Sequence, residues 1–99
     1  MKKIKEFVEE IDEELESAME YAEKYVEYKA KGDAQIANKF KEMSNDELRH
    51  SMFLHELAVK EIEEISKVFT APIEMQEAWD KAHKGYTAKA AHIKQMLSL

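Results

Sequence analysis

The sequence predicts an all-α protein: a long antiparallel helix hairpin followed by a third helix, in a single domain over residues 1–99. Three observations carry this. Of the 99 residues, 44% are hydrophobic and 36% charged, with only two Gly and one Pro. That mixture suits long amphipathic helices and leaves a sheet without turns. Apolar residues recur at spacings of three and four, the signature of one helix face. Finally, the strong breaks fall at Lys31-Gly32 and at Thr70-Ala71-Pro72.

The first helix is predicted from about residue 3 to residue 30. Ile4, Phe7, Ile11, Glu14, Ala18, Tyr21, Tyr25 and Tyr28 form its stripe, flanked by Val8, Leu15, Ala22 and Val26. Gly32 suits a left-handed helix end, and Asp33 can cap the next helix. So short a connection makes the two helices antiparallel neighbours. The second helix, about 34–69, carries Ile36, Phe40, Met43, Glu47, His50, Leu54 and Leu57, drifting to Ala58, Ile62, Ile65 and Phe69. Pro72 opens the third, about 73–97, whose stripe is Met75, Trp79, Ala82, Tyr86, Ala90, Ile93 and Leu97. Gly85 weakens it.

Ser44-x-x-Glu47 has the form of a capping box, which would start a helix inside the second segment. The apolar phase argues against a break there, because Phe40 and Met43 stay in register with Glu47, His50 and Leu54. One continuous helix is the simpler account.

The net charge of −6 disfavours nucleic acid and anionic lipid as partners. No long uninterrupted apolar run suggests a membrane span. The opening MKKIKEF leads into an acidic helix rather than a signal segment, so the expected compartment is cytoplasmic. The absence of Cys excludes thiolate metal sites, thiol catalysis and disulfides. No Gly-rich phosphate loop is present, and no serine has a convincing base.

The polar interruptions of the two stripes are Glu14 in the first and Glu47 with His50 in the second. Glu14 lies 18 residues before Gly32, Glu47 lies 15 after it and His50 18 after it. At 1.5 Å per residue, all three sit roughly 22–27 Å from the turn. They should therefore face one another at one height inside the apolar seam. Two carboxylates there are costly unless a metal cation, a shared proton or a neighbouring Lys or Arg offsets them. The candidates are a metal set of Glu14, Glu47 and His50, or a buried or dimer-interface polar cluster. The Glu-x-x-His spacing alone means little, since Asp80-Lys81-Ala82-His83 has the same form beside the third stripe. His83, His55 and His92 read as surface residues.

The order Glu14 … Lys31-Gly32-Asp33-Ala34-Gln35-Ile36-Ala37 … Phe40 … Glu47-Leu48-Arg49-His50 resembles the first helix pair of ferritin-like proteins. It is most similar to rubrerythrins and the short encapsulated-ferritin type, over roughly residues 11–58. The resemblance implies Glu14 as first-helix ligand, Glu47 as bridging carboxylate and His50 as terminal nitrogen ligand. Tyr21, on the same stripe as Glu14, is then either a redox or supporting neighbour of the ligands or a plain core tyrosine. A full bundle of this kind supplies Glu from each of two helices and Glu-x-x-His from each of the other two. This chain carries one half. The resemblance thus implies a homodimer, or a higher homo-oligomer, that completes a four-helix bundle across a two-fold axis. The third helix would pack outside it or build a larger ring. The implied cofactor is iron, two per dimer, with manganese or zinc as alternatives for an oxygen-rich ligand set. The implied function is ferroxidase chemistry, the oxidation of Fe²⁺ by O₂ or peroxide, in iron handling. The alternative is a helical structural or protein-interaction module of the same shape without redox activity.

Overall fold

A computed structural model describes the chain except Met1, Phe69, Ala71 and Pro72, and the side chain of Lys2. The described residues form three helices, α1 (Lys2–Ala30), α2 (Ala34–Val68) and α3 (Ile73–Leu97), and no strand. The expected Ala71-Pro72 break and the Phe69 end of the second stripe lie outside the described residues. No described helix is long and apolar enough to cross a membrane.

The α1–α2 turn is built from backbone hydrogen bonds that two residues make possible. Gly32 has φ 81°, a left-handed conformation that a Cβ disfavours. Its N–H donates to the Lys29 carbonyl at 3.0 Å, and the Asp33 N–H donates to the Tyr28 carbonyl at 3.0 Å. This paired pattern satisfies carbonyls left open at the helix end. Asp33 then caps α2, its Oδ1 accepting from the Ile36 N–H at 3.1 Å. A Cβ on Gly32 would meet nothing within 4 Å, so only backbone strain opposes a substitution. Gly32→Ala should cost about 1 kcal/mol, read as a lower urea midpoint at unchanged slope.

α2 runs unbroken through Ser44, as the register of Phe40 and His50 predicts. Ser44 is not a cap. It is fully buried, and its hydroxyl donates to the Ala18 carbonyl at 2.7 Å across the helix pair.

The seam between α1 and α2 keeps Ile4, Ile11, Ala18, Tyr25 and Ala58 of the predicted stripes but is otherwise shifted. Its buried side chains are Ile4, Ile11, Leu15, Ala18, Ala22 and Tyr25 on α1, and Ala37, Ser44, Leu48, Ser51 and Ala58 on α2. Leu15 and Ala22, expected at the flank, are completely buried, while Ile36 and Met43, expected inside, are about 40% exposed. The physical reason is size: Ala and Ser let the two backbones approach closely, and the larger side chains are displaced to the edge.

α3 returns alongside α1. Lys3 pairs with Glu61 at one end of the hairpin, and at the other Lys29 Nζ donates to the main-chain oxygen of Leu99. Ala90, Ile93 and Leu97 of α3 join the core cluster around Leu15, Ala18, Ala22, Tyr25 and Leu48. Farther along, Trp79, Ala82 and Tyr86 lie against Val8 and Asp12 of α1. At about 100° per residue, Val8, Asp12 and Met19 lie on one flank of α1's buried stripe. Glu14, Tyr21 and Tyr28 lie on the other. α3 thus covers one groove of the hairpin and leaves the opposite groove open.

Candidate metal centre

The open groove carries the polar interruptions. Glu14 comes from the middle of α1, Glu47 and His50 from the middle of α2, and one ligand atom from each lies within 4.8 Å of the others. Distance from the turn brings them to one height, as counting from Gly32 predicts. His50 Nδ1 stands 3.6 Å from Glu14 Oε2 and 3.9 Å from Glu47 Oε1. The carboxylate side chains are 29% and 24% exposed, but the His50 side chain is 61% exposed. This corrects the expectation of a site inside the seam. Smaller residues close the seam beneath, so the group sits at its edge, in the groove away from α3.

Two features describe its electrostatics. Glu14 Oε2 is shielded from solvent, and with Glu47 ionised no donor hydrogen-bonds it. A buried acceptor without a donor carries an uncompensated desolvation cost. Beside it, the Glu47 carboxyl is held above the ordinary carboxylate range. The main cause is the hydrogen bond that protonated Glu47 makes to Glu14, followed by burial and by the Glu14 charge, with His50 acting in the opposite sense. The group thus favours either a shared proton or a cation.

The pH dependence of the metal-free protein follows. With its folded pKa raised, Glu47 holds its proton in the native state after the unfolded chain has lost it. Its contribution to stability is present below the ordinary carboxylate value of 4.5 and is lost as pH rises through the folded pKa. Glu47→Gln should remove that loss, so the urea midpoints of variant and wild type should diverge in the variant's favour as pH rises above the ordinary carboxylate range. Parallel midpoints would contradict the strained carboxylate pair.

Toward the turn the open groove is aromatic. Phe40 stacks with Tyr28 at 5.6 Å and Tyr21 at 6.3 Å between ring centroids. Tyr21 is half-buried, and this ring contact is the kind a core tyrosine makes. Met43 and Ile36 continue the surface toward the turn, and Leu54 and Leu57 continue it the other way.

A second cluster was not legible in the stripes. His55, read as a surface residue, is half-buried, and its ring packs on Tyr86 at 5.2 Å, Trp79 at 5.4 Å and His83 at 4.7 Å. His83 is exposed, as expected, yet its Nδ1 lies 2.7 Å from His55 Nε2. Burial, then the His83 charge, pushes the His55 pKa below its ordinary value. A signal was available: Ser44, Leu48, Ser51, His55 and Ala58 repeat at four, three, four and three, which is the true seam phase of α2.

Comparison with known proteins finds no matching family model, no matching curated protein and no matching solved structure.

Proposed function

We propose that the chain is half of a ferritin-like di-iron carboxylate protein, in which two copies join their open grooves and Glu14, Glu47 and His50 of each hold the metals. The observation that carries this reading is the orphaned Glu14 Oε2 beside a strained Glu47 and an imidazole. Two carboxylates and one nitrogen form a hard, oxygen-rich donor set that fits Fe²⁺ or Mn²⁺ and also accepts Zn²⁺. Bound iron would supply ferroxidase chemistry, the oxidation of Fe²⁺ by O₂ or peroxide.

The chain's own residues have distinct parts in this. Glu14 and Glu47 supply negative charge to the centre, and ionisation of Glu47 releases its proton when a cation enters. His50 offers Nδ1 from the exposed rim. Phe40, Met43, Leu54 and Leu57 surround the group with apolar surface, which excludes water once a second copy covers it. Because α3 occupies the opposite groove, it leaves this pairing unobstructed.

Sedimentation with and without Mn²⁺ tests the pairing. The wild type should sediment as a dimer with Mn²⁺, and Glu47→Ala should lose the metal-dependent part of the association. A monomer under all conditions would overturn the reading.

A further inference from the structure

We propose that His55 and His83 form a second metal site, an interhelical pair of imidazoles that takes a borderline divalent cation such as Cu²⁺, Ni²⁺ or Zn²⁺ and clips α3 to α2. The site is separate from the carboxylate group and does not depend on that group's function. It lies on α3's side of the hairpin, and it contributes nitrogen donors where the first contributes mainly oxygen.

The geometry supports this directly. His55 Nε2 and His83 Nδ1 point at one another across 2.7 Å, from different helices. Two imidazoles at that distance share a single proton between their lone pairs. Replacing it by a metal with bonds of 2.0–2.1 Å at a tetrahedral angle needs a nitrogen separation of about 3.3 Å. Widening the pair by about 0.6 Å and turning the rings so that their lone pairs meet off the N···N line provides that; the His83 ring, packed beside Trp79 and Tyr86, has room on its exposed side.

The surroundings suit an ion rather than an organic ligand. The cavity that His55 and His83 share with Asp12, Trp79 and Tyr86 has a volume of about 10 Å³, roughly the space of one water. Asp12 of α1 also lines the cavity. Burial lowers the His55 pKa and so favours the neutral imidazole, the form a metal needs. The exposed side of His83 leaves coordination positions to water. Borderline cations prefer such imidazole donors, whereas the carboxylate group favours harder ones.

The single tryptophan of the chain reports on this site. Trp79 lies with its ring centroid 5.4 Å from His55 and 6.3 Å from His83, within the short range at which bound Cu²⁺ quenches indole fluorescence. Titrating the full-length protein with Cu²⁺ near neutral pH should give saturable quenching at one equivalent per chain, reversed by excess chelator such as EDTA. His83→Ala removes an exposed ring and should retain the helical circular dichroism while weakening the quenching titration at least tenfold. His55→Ala should do the same. Glu47→Ala should leave the titration unchanged, even though it disables the carboxylate group. Quenching that survives in His83→Ala, quenching that disappears in Glu47→Ala, or no saturable quenching up to about 100 µM Cu²⁺ would overturn the proposal.

Discussion

Replacing Glu14 and Glu47 together by leucine should stabilise the metal-free protein and abolish its stabilisation by metal. Both effects have one origin. In the absence of a cation, ionising Glu47 leaves a shielded Glu14 oxygen with no donor, so that ionisation is resisted. Apolar side chains of similar volume remove that cost. With a cation, the same carboxylates become the source of binding energy. A site on the native state contributes about 2.7 kcal/mol when free metal is a hundred times its Kd. For a domain of this length each kcal/mol moves Tm by roughly 4–8 °C, so Fe²⁺ or Mn²⁺ should raise the wild-type Tm by roughly 10–20 °C. The double variant should melt higher than metal-free wild type and show no carboxylate-dependent rise. A structural module without metal would share the first effect but would show no rise in the wild type either, so the two arms together separate the readings.

The second large effect is expected at Leu15. Its side chain is completely buried, in the cluster where α1 meets Leu48 of α2 and Ile93 of α3. Leu15→Ala removes buried methyl groups and leaves a cavity between long helices that close slowly around it. The expected loss is about 2–5 kcal/mol, a large part of the stability of a small domain. Ile36→Ala supplies the contrast. Ile36 is 39% exposed in the open groove, so for the metal-free monomer its loss should be about 1 kcal/mol or less. The stripes read from sequence would reverse the order, since they put Ile36 inside and Leu15 at the flank. Urea midpoints of the two variants at low protein concentration decide between them.

That reversal locates what was legible in the chain. The helices were legible because their breaks are chemical: a left-handed Gly32, a capping Asp33, and few other breakers. The common height of Glu14, Glu47 and His50 was legible because rise per residue is fixed. The α3 stripe was legible as well, with Ala90, Ile93 and Leu97 buried on it. The rotation of α1 against α2 was not. Apolar bulk draws attention to Phe40, Met43 and Leu54, but the completely buried positions include the small residues Ala18, Ala22, Ser44 and Ser51. Ser44 is polar in the sequence and core in the fold because it satisfies its hydroxyl on the Ala18 carbonyl. The same displaced phase hid His55, which shares a register with Leu48 and Ser51 and so reaches α3. Ile4, Ile11, Ala18 and Tyr25 of the predicted α1 stripe are buried as expected, but a rotation of about 60° turned the Glu14, Tyr21 and Tyr28 edge of that stripe and much of the α2 stripe into an open groove, and moved the carboxylate group from the interior to an edge that a second chain can cover.

The central claim is that Glu14, Glu47 and His50 hold metal between two copies of the chain. Anaerobic titration with Fe²⁺, monitored by equilibrium dialysis on wild type and Glu47→Ala in parallel, tests it most directly. Saturation near one iron per chain in the wild type, with no saturable uptake in Glu47→Ala, is the predicted result. Equal uptake by the two proteins, or none by the wild type, would contradict it.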